Sequence, residues 1–147
     1  MKTTYLRPAL AALACAAALG LATPSLADMV KMKADLKPSA EVPAVTNSKG
    51  SGMVEVTYDT ATRMMNWKGS YSGLSGPAIA AHFHAGEMGK NGGVVIPIFG
   101  GSTAKTPFSG EKKLTAEQAS QLMSGGWYVN VHTAAHKPGE IRGQVTK

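Results

Sequence analysis

The sequence predicts an all-β domain, a sandwich or a barrel of short strands with one short helix. Most of the chain after residue 28 alternates apolar and polar side chains with the two-residue period of half-buried strands. Clusters of glycine, proline, serine and asparagine interrupt this alternation as turns do. Because no internal repeat or linker follows, we expect a single domain of about 120 residues, enough to form its own core.

The first strand is expected at residues 30–36, where the apolar side chains Val30, Met32, Ala34 and Leu36 share one face. Seven more segments have the same alternation and end at turn-forming residues. They are predicted as strands at residues 52–58, 63–71, 79–85, 94–99, 107–114, 127–133 and 140–146. Eight short strands with frequent turns are typical of sandwiches and barrels.

One helix is predicted between the sixth and seventh strands. Thr115 can cap its first turn, and Gln118 stands where a capping box needs its second partner. The Gly125-Gly126 pair marks its end. We expect its core-facing side chains to be Ala119, Leu122 and Met123.

The first 27 residues have the pattern of a secretory signal peptide. Lys2 and Arg7 precede an apolar run at residues 9–21, and small residues end at Ala27. The mature domain is then residues 28–147, in the periplasm or outside the cell. Lipidation at Cys15 is the alternative, but the apolar run continues past this cysteine. Because Cys15 is the single cysteine and is removed with the signal peptide, the mature domain is expected to have no disulfide. No later stretch has the roughly 20 apolar residues of a membrane span.

The mature chain is mildly basic. Without Lys2 and Arg7, 13 of the 15 basic residues remain against 9 acidic ones, a formal charge of +4. These charges are scattered and form no basic run with interleaved aromatic residues, so we expect no nucleic acid partner. A positive field at a cleft would still concentrate a small anion.

All four histidines fall in two short segments, which indicates one metal site. His82 and His84 are two residues apart, so in a strand they share a face at about 6.5 to 7 Å. His132 and His136 would be about 13 Å apart in an extended strand, and can share an ion only if the chain bends. Pro138 and Gly139 favour such a turn. A solvated strand face is the alternative for an isolated histidine pair.

The ligand type favours copper, with zinc as second choice. Neutral imidazoles without a thiolate disfavour calcium and magnesium, and affinity for nitrogen ligands peaks at Cu(II) among the divalent ions. A closed four-histidine zinc site would be structural, whereas a copper site with an open face would be redox-active. Since binding requires unprotonated rings, occupancy should fall below about pH 6.

Three neighbouring residues each have a functional and a plainer interpretation. Met88 would offer a thioether to Cu(I), but a packing or surface role is commoner for such a methionine. Glu87 would orient a histidine ring, or remain a solvated loop carboxylate. Arg142 would guide and hold an anion near an open metal, or be an exposed strand arginine.

Several short motifs in order resemble the CHRD domain, first named in chordin and widespread in secreted bacterial proteins. The resemblance covers residues 36–145 and implies an all-β domain of immunoglobulin-like or sandwich character. Its motifs are Ala40-Glu41-Val42-Pro43, Tyr71-Ser72-Gly73-Leu74, Ala81-His82-Phe83-His84-Ala85-Gly86, Tyr128-Val129-Asn130-Val131-His132-Thr133 and Gly139-Glu140-Ile141-Arg142-Gly143-Gln144.

The histidine pattern is also similar, more loosely, to copper/zinc superoxide dismutases, which have a Greek-key β-barrel. That similarity implies that His82, His84 and His132 are copper ligands and that Arg142 is the anion-guiding residue of the catalytic site. The chain lacks the cysteine pair and the histidine- and aspartate-bearing loop of the zinc subsite, and His136 has no counterpart there. A copper-only site is what the similarity implies.

Three functions follow from these observations. The first is a periplasmic or secreted copper-binding protein with a four-histidine site, redox-active as a copper-only superoxide dismutase whose small anion substrate is superoxide. The second is a non-enzymatic copper buffer or carrier with a copper-exchange partner. The third is a metal-free interaction or adhesion module. A hydrolase is disfavoured because no serine lies in a nucleophile elbow and no carboxylate pair is evident.

Overall fold

The computed structural model describes residues 28–101 and 104–147. Within this part of the chain there are eight strands and one α-helix. They are β1 Met29–Leu36, β2 Ser51–Asp59, β3 Met64–Ser72, β4 Ala78–Ala85, β5 Val94–Gly100, β6 Phe108–Lys113, α1 Ala116–Met123, β7 Trp127–Thr133 and β8 Ile141–Gln144. All eight predicted strands are present, with ends shifted by a few residues. The predicted signal peptide, including Cys15, lies outside the described residues.

The strands form two four-stranded antiparallel sheets. Their orders are β1-β2-β3-β6 and β5-β4-β7-β8. The sheets approach each other along one edge, where isolated bridges join Lys33 to Thr146 and Lys37 to Arg142. Among the described residues no closed barrel forms, so the sandwich is confirmed and the barrel alternative is wrong.

The core lies between the two sheets and is formed by the inward-facing half of each alternating strand. Phe83 lies at its centre, with its ring centroid 5.3 Å from Trp67 in an edge arrangement and 6.1 Å from Trp127. Such aromatic pairs add about 0.5 to 1.5 kcal/mol beyond the burial of their area. The neighbouring aliphatic side chains Val54, Val56, Val129 and Val131 are fully or almost fully buried.

The helix begins and packs as predicted. The Thr115 hydroxyl accepts from the backbone N–H of Gln118, and the Gln118 side chain accepts from the backbone N–H of Thr115. This capping box satisfies two donors that the first turn leaves free. Ala119 and Leu122 are buried against the core, and Gly125 follows the helix at φ +76°. Within the described residues, no helix is long and apolar enough to cross a membrane.

Strand β7 positions the functional side chains because both of its faces are covered. Trp127, Val129 and Val131 point into the core, so the alternate residues Tyr128 and His132 point away from it, and every residue of the strand is nevertheless buried. Loops close over this outer face. Asn91 in the β4–β5 connection donates to Val42 O in the β1–β2 connection at 2.8 Å. The outer face of the second sheet therefore forms a polar layer under two joined loops.

Candidate metal centre

Three of the four histidines converge on the outer face of the second sheet. His82 and His84 lie on β4, and His132 lies on the adjacent strand β7. One nitrogen from each ring lies within 4.8 Å of the other two. In the described ranges, this is the one group of three or more histidine, cysteine or acidic residues with such spacing. Imidazole nitrogens bind a metal ion at about 2.0 to 2.1 Å, so small rotations of these rings suffice for a shared ion.

Local strand geometry brings the two β4 histidines toward each other. The register with β5 shifts between Ala81 and His82, and again between Phe83 and His84. Such irregularities bend a strand and re-aim its side chains, and they are common next to functional sites. The ring centroids of His82 and His84 are 5.5 Å apart, and Phe83 between them points into the core.

Backbone carbonyls orient two of the rings. His84 Nδ1 lies 2.9 Å from Gly92 O, and His132 Nδ1 lies 2.8 Å from Lys137 O. A carbonyl oxygen only accepts, so Nδ1 carries the proton in both rings and Nε2 presents a lone pair. Metal-binding histidines commonly have this arrangement, in which the outer hydrogen bond fixes tautomer and ring orientation. The expected role of Glu87 is filled by these carbonyls, and Glu87 itself is exposed.

One buried lone pair of the cluster has no partner. His84 Nε2 is buried and accepts no hydrogen bond, whereas His132 Nε2 lies 3.0 Å from His82 Nδ1. A buried polar atom without a partner costs about 1 to 3 kcal/mol. A cation that accepts the lone pair of His84 Nε2 would remove that cost. The donor set therefore fits a metal ion held by His82, His84 and His132.

The surroundings of the cluster favour the uncharged form of His82 and of His132. Burial, together with the charges of nearby His132 and His84, lowers the pKa of His82 to about 4. Burial also lowers the pKa of His132, against the opposing effect of its bond to Lys137 O. Because neutral rings are the form that binds a metal, the loss of occupancy expected near pH 6 moves to lower pH.

His136 is not part of the cluster. It lies in the turn after β7, where its backbone N–H donates to Thr133 O and its carbonyl accepts from Gly139 N. The chain bends there as expected, but the bend brings the Lys137 carbonyl to His132 instead of the His136 ring. The predicted four-histidine site is therefore a three-histidine cluster.

Arg142 is neither an exposed strand residue nor open to solvent. Only 2% of it is accessible, and its Cζ lies 3.4 Å from the centroid of the Tyr128 ring. Its guanidinium donates to Lys90 O at 2.6 Å, to Asn91 Oδ1 at 3.0 Å and to Glu87 O at 3.4 Å. Met88, in the same connection, is 74% exposed. The arginine therefore contacts the loop that flanks the histidines, and it does not face an incoming anion.

Tyr128 was missed as a site residue, although strand alternation places it on the same face as His132. Its ring stacks on His84 with centroids 4.8 Å apart and planes at 8°. Its hydroxyl accepts from Gly92 N at 3.2 Å. The tyrosine therefore contacts both the His84 ring and the residue whose carbonyl orients that ring.

Two buried carboxyl groups, those of Glu140 and Glu41, could not be recognised from local sequence. Glu140 accepts from Ser48 Oγ, from Ser75 N and Oγ, and from Thr133 Oγ1 at 2.6 to 2.7 Å. Burial alone would raise the pKa of Glu140, but these bonds lower it to about 2. Three of the donors come from residues 65 and 92 positions away, so only the fold reveals the network.

Glu41 shows the opposite behaviour. Burial raises its pKa to about 7, although the Arg142 charge and bonds from Val42 and Asn130 act against this. Glu41 Oε1 and Asn130 Oδ1 are both buried acceptors without a partner. A proton on the Glu41 carboxyl is therefore favoured at and below neutral pH.

Comparison with known families agrees with the sequence motifs. The family model of the CHRD domain matches residues 32–145, most of the chain. No curated protein and no solved structure matches the chain. The looser similarity to copper/zinc superoxide dismutases is thus not supported by any match.

Proposed function

The chain belongs to the CHRD domain family, and we propose that its His82, His84 and His132 cluster binds copper in the periplasm or outside the cell. The chemistry of the donors supports copper. Three neutral nitrogen ligands without thiolate or carboxylate favour Cu(II) over the other divalent ions, with zinc second. The lowered pKa of His82 keeps this donor set available in mildly acidic surroundings.

We further propose that the copper-loaded protein dismutates superoxide. The observation that carries this proposal is the number of converging histidines: three protein ligands leave a coordination position free, as in catalytic sites, whereas four ligands close a structural one. His84 and His132 are buried and His82 is partly exposed, so the cluster is reached from the His82 side. Bound copper would supply the one-electron exchange that converts two superoxide ions and two protons into oxygen and hydrogen peroxide.

The chain's own residues have three roles in this proposal. The histidines bind the ion, and the carbonyls of Gly92 and Lys137 orient two of the rings. We assign the attraction of an anion to Lys90 and Lys137, exposed residues whose carbonyls accept from Arg142 and from His132 Nδ1 respectively. This places anion guidance on the two lysines, since Arg142 is buried.

The experiment compares two histidine variants of the mature protein. His82→Ala should abolish stoichiometric copper binding and superoxide turnover, while His136→Ala should keep both, because its ring lies outside the cluster. Copper content by mass spectrometry and superoxide decay by stopped flow give the result. Equal loss in both variants would contradict the three-ligand site. Copper binding without turnover would indicate a buffer or carrier, and no copper uptake by the parent protein would indicate a metal-free module.

A further inference from the structure

We propose that Arg142 is a positioning residue for His84, acting through the loop of residues 86–92 between β4 and β5. This inference rests on the proposed metal site. The 86–92 loop ends at the carbonyl that accepts the His84 Nδ1 proton, Gly92 O at 2.9 Å. The orientation of His84, and the direction of its Nε2 lone pair, therefore depend on where this loop lies.

The 86–92 loop makes few hydrogen bonds within itself and is held by bonds to other segments, among which those from Arg142 are the most numerous. Its sequence Gly-Glu-Met-Gly-Lys-Asn-Gly contains three glycines, and residues 87–91 are exposed. Within it there is one backbone bond, from Lys90 N to Glu87 O at 3.0 Å. Gln144 binds its first residue by donating to Gly86 O at 2.8 Å. In the middle of the loop, Asn91 donates to Val42 O at 2.8 Å, and three further bonds come from Arg142.

Arg142 donates to three residues of that middle section, Glu87, Lys90 and Asn91. One terminal nitrogen donates to Lys90 O and Glu87 O, and the other donates to Asn91 Oδ1. A planar guanidinium presents several donors in a fixed geometry, which a lysine ammonium cannot reproduce. The backbone of Arg142 is itself fixed in β8, where it exchanges bonds with Lys37 at 2.9 and 3.1 Å. Arg142 therefore connects the loop to the sheet and restricts where the loop can lie.

A second path from Arg142 to His84 runs through Tyr128. The guanidinium covers the Tyr128 ring at 3.4 Å, and the His84 ring stacks on the same tyrosine at 4.8 Å. Because β4 and β8 pair with opposite sides of β7, the Tyr128 ring lies between the His84 ring on β4 and the Arg142 guanidinium on β8. The Tyr128 hydroxyl also accepts from Gly92 N. Both paths end on the same residues, His84 and its carbonyl partner.

The burial of Arg142 distinguishes positioning from anion guidance. The Arg142 guanidinium is 2% exposed, and its donors point at protein oxygens instead of solvent. If Arg142 guided an anion, it would act by its charge, and a lysine at this position would preserve the function. A positioning arginine acts by its donor geometry, so lysine would fail.

The test uses Arg142→Lys in the mature protein, with Lys31→Gln on the other sheet as a charge-loss control. We expect Arg142→Lys to lower copper affinity about 10- to 100-fold, the usual effect of losing an outer partner of a metal ligand. It should also speed amide hydrogen exchange at residues 86–93. Wild-type affinity in Arg142→Lys would overturn the inference, whether or not exchange changes, and so would an equal loss of affinity in Lys31→Gln.

A pair of variants at Asn91 tests the same inference if Arg142→Lys fails to fold. Asn91→Asp keeps an acceptor for Arg142 and loses the donor to Val42 O, whereas Asn91→Ala loses both. We expect weakened copper binding in Asn91→Ala and near-normal binding in Asn91→Asp. Equal affinities in these two variants would contradict the role of Arg142.

One readout needs no metal. Nitrogen NMR of labelled histidine reports which ring nitrogen of His84 carries the proton. We expect Nδ1–H in the parent protein and a mixture of tautomers in Asn91→Ala and Arg142→Lys. An unchanged tautomer would overturn the inference, while failure of the parent protein to bind copper would overturn only the proposed function.

Discussion

His82 Nδ1 and His132 Nε2 lie 3.0 Å apart across β4 and β7. Because His132 Nδ1 donates to Lys137 O, its Nε2 is the acceptor and His82 Nδ1 is the donor. This single bond holds two rings of the cluster together without a metal. A metal ion held by His82 and His132 would take the place of this bond.

Copper should remain bound at lower pH than ordinary histidines allow. Protons compete with the metal for each ring, and the pKa of His82 is lowered to about 4 while that of His132 is also lowered. We expect retention during dialysis at pH 5.5 and loss as the pH falls toward 4. Complete release by pH 6, measured by metal analysis of the dialysed protein, would contradict the lowered pKa values.

Gly92→Ala should weaken the metal site, and Gly93→Ala should not. A Cβ at Gly92 would overlap Ala85 O, so the backbone must move and shift the carbonyl that orients His84. A Cβ at Gly93 meets no atom within 4 Å. We expect copper affinity to fall about 10-fold or more in Gly92→Ala. Chelator competition on both variants measures the difference, and equal affinities would contradict the role of Gly92.

Glu140→Gln should destabilise the fold strongly at neutral pH. Its carboxylate accepts from Ser48, Ser75 and Thr133, and a hydrogen bond to a charged group contributes about 1.5 to 3 kcal/mol. Since its folded pKa is about 2, below the usual 4.5, this stabilisation is present above pH 4.5 and lost as the pH falls toward 2. Urea unfolding at pH 7 measures the change. The exposed variant Glu111→Gln is the control, and a similarly small effect in both would refute the prediction.

Glu41→Gln should have the opposite pH dependence. The folded pKa of Glu41 is about 7, above the usual 4.5, so the folded state binds the proton more tightly and stability falls as the pH rises from 4.5 through 7. A glutamine removes this slope. We expect the variant to be more stable than the parent at pH 8 by about 2 to 3 kcal/mol, and close to it at pH 4.5. If the free energy of unfolding had the same pH dependence in both proteins, the raised pKa of Glu41 would be disproved.

Local patterns were sufficient to predict the strands, the helix and the three histidines that form the cluster. Alternation set which residues of β4 and β7 face outward, and the Thr115 cap set where α1 begins. These features depend on neighbours within a few residues. The motifs of the CHRD domain extended the prediction to the family.

The sequence was not sufficient to predict where the His136 ring lies or that Arg142 is buried, because both depend on how the folded chain is arranged around these residues. The turn after β7 follows from the bonds of Thr133 and Gly139 to His136, which orient its backbone rather than its ring. Arg142 is buried by a loop about 50 residues earlier, to which it donates three hydrogen bonds. Strand alternation predicts that the Arg142 side chain points away from the core. It does not predict that the loop of residues 86–92 covers this side chain and buries it.

The most direct measurement counts the histidine nitrogens bound to copper. Electron paramagnetic resonance and nuclear double resonance on copper-loaded protein of residues 28–147 with labelled histidine report this number. The proposed site predicts three imidazole nitrogens coupled to copper in the parent protein, three in His136→Ala and fewer in His84→Ala. A fourth nitrogen that disappears in His136→Ala, or a copper signal with no histidine coupling, would contradict the three-histidine centre.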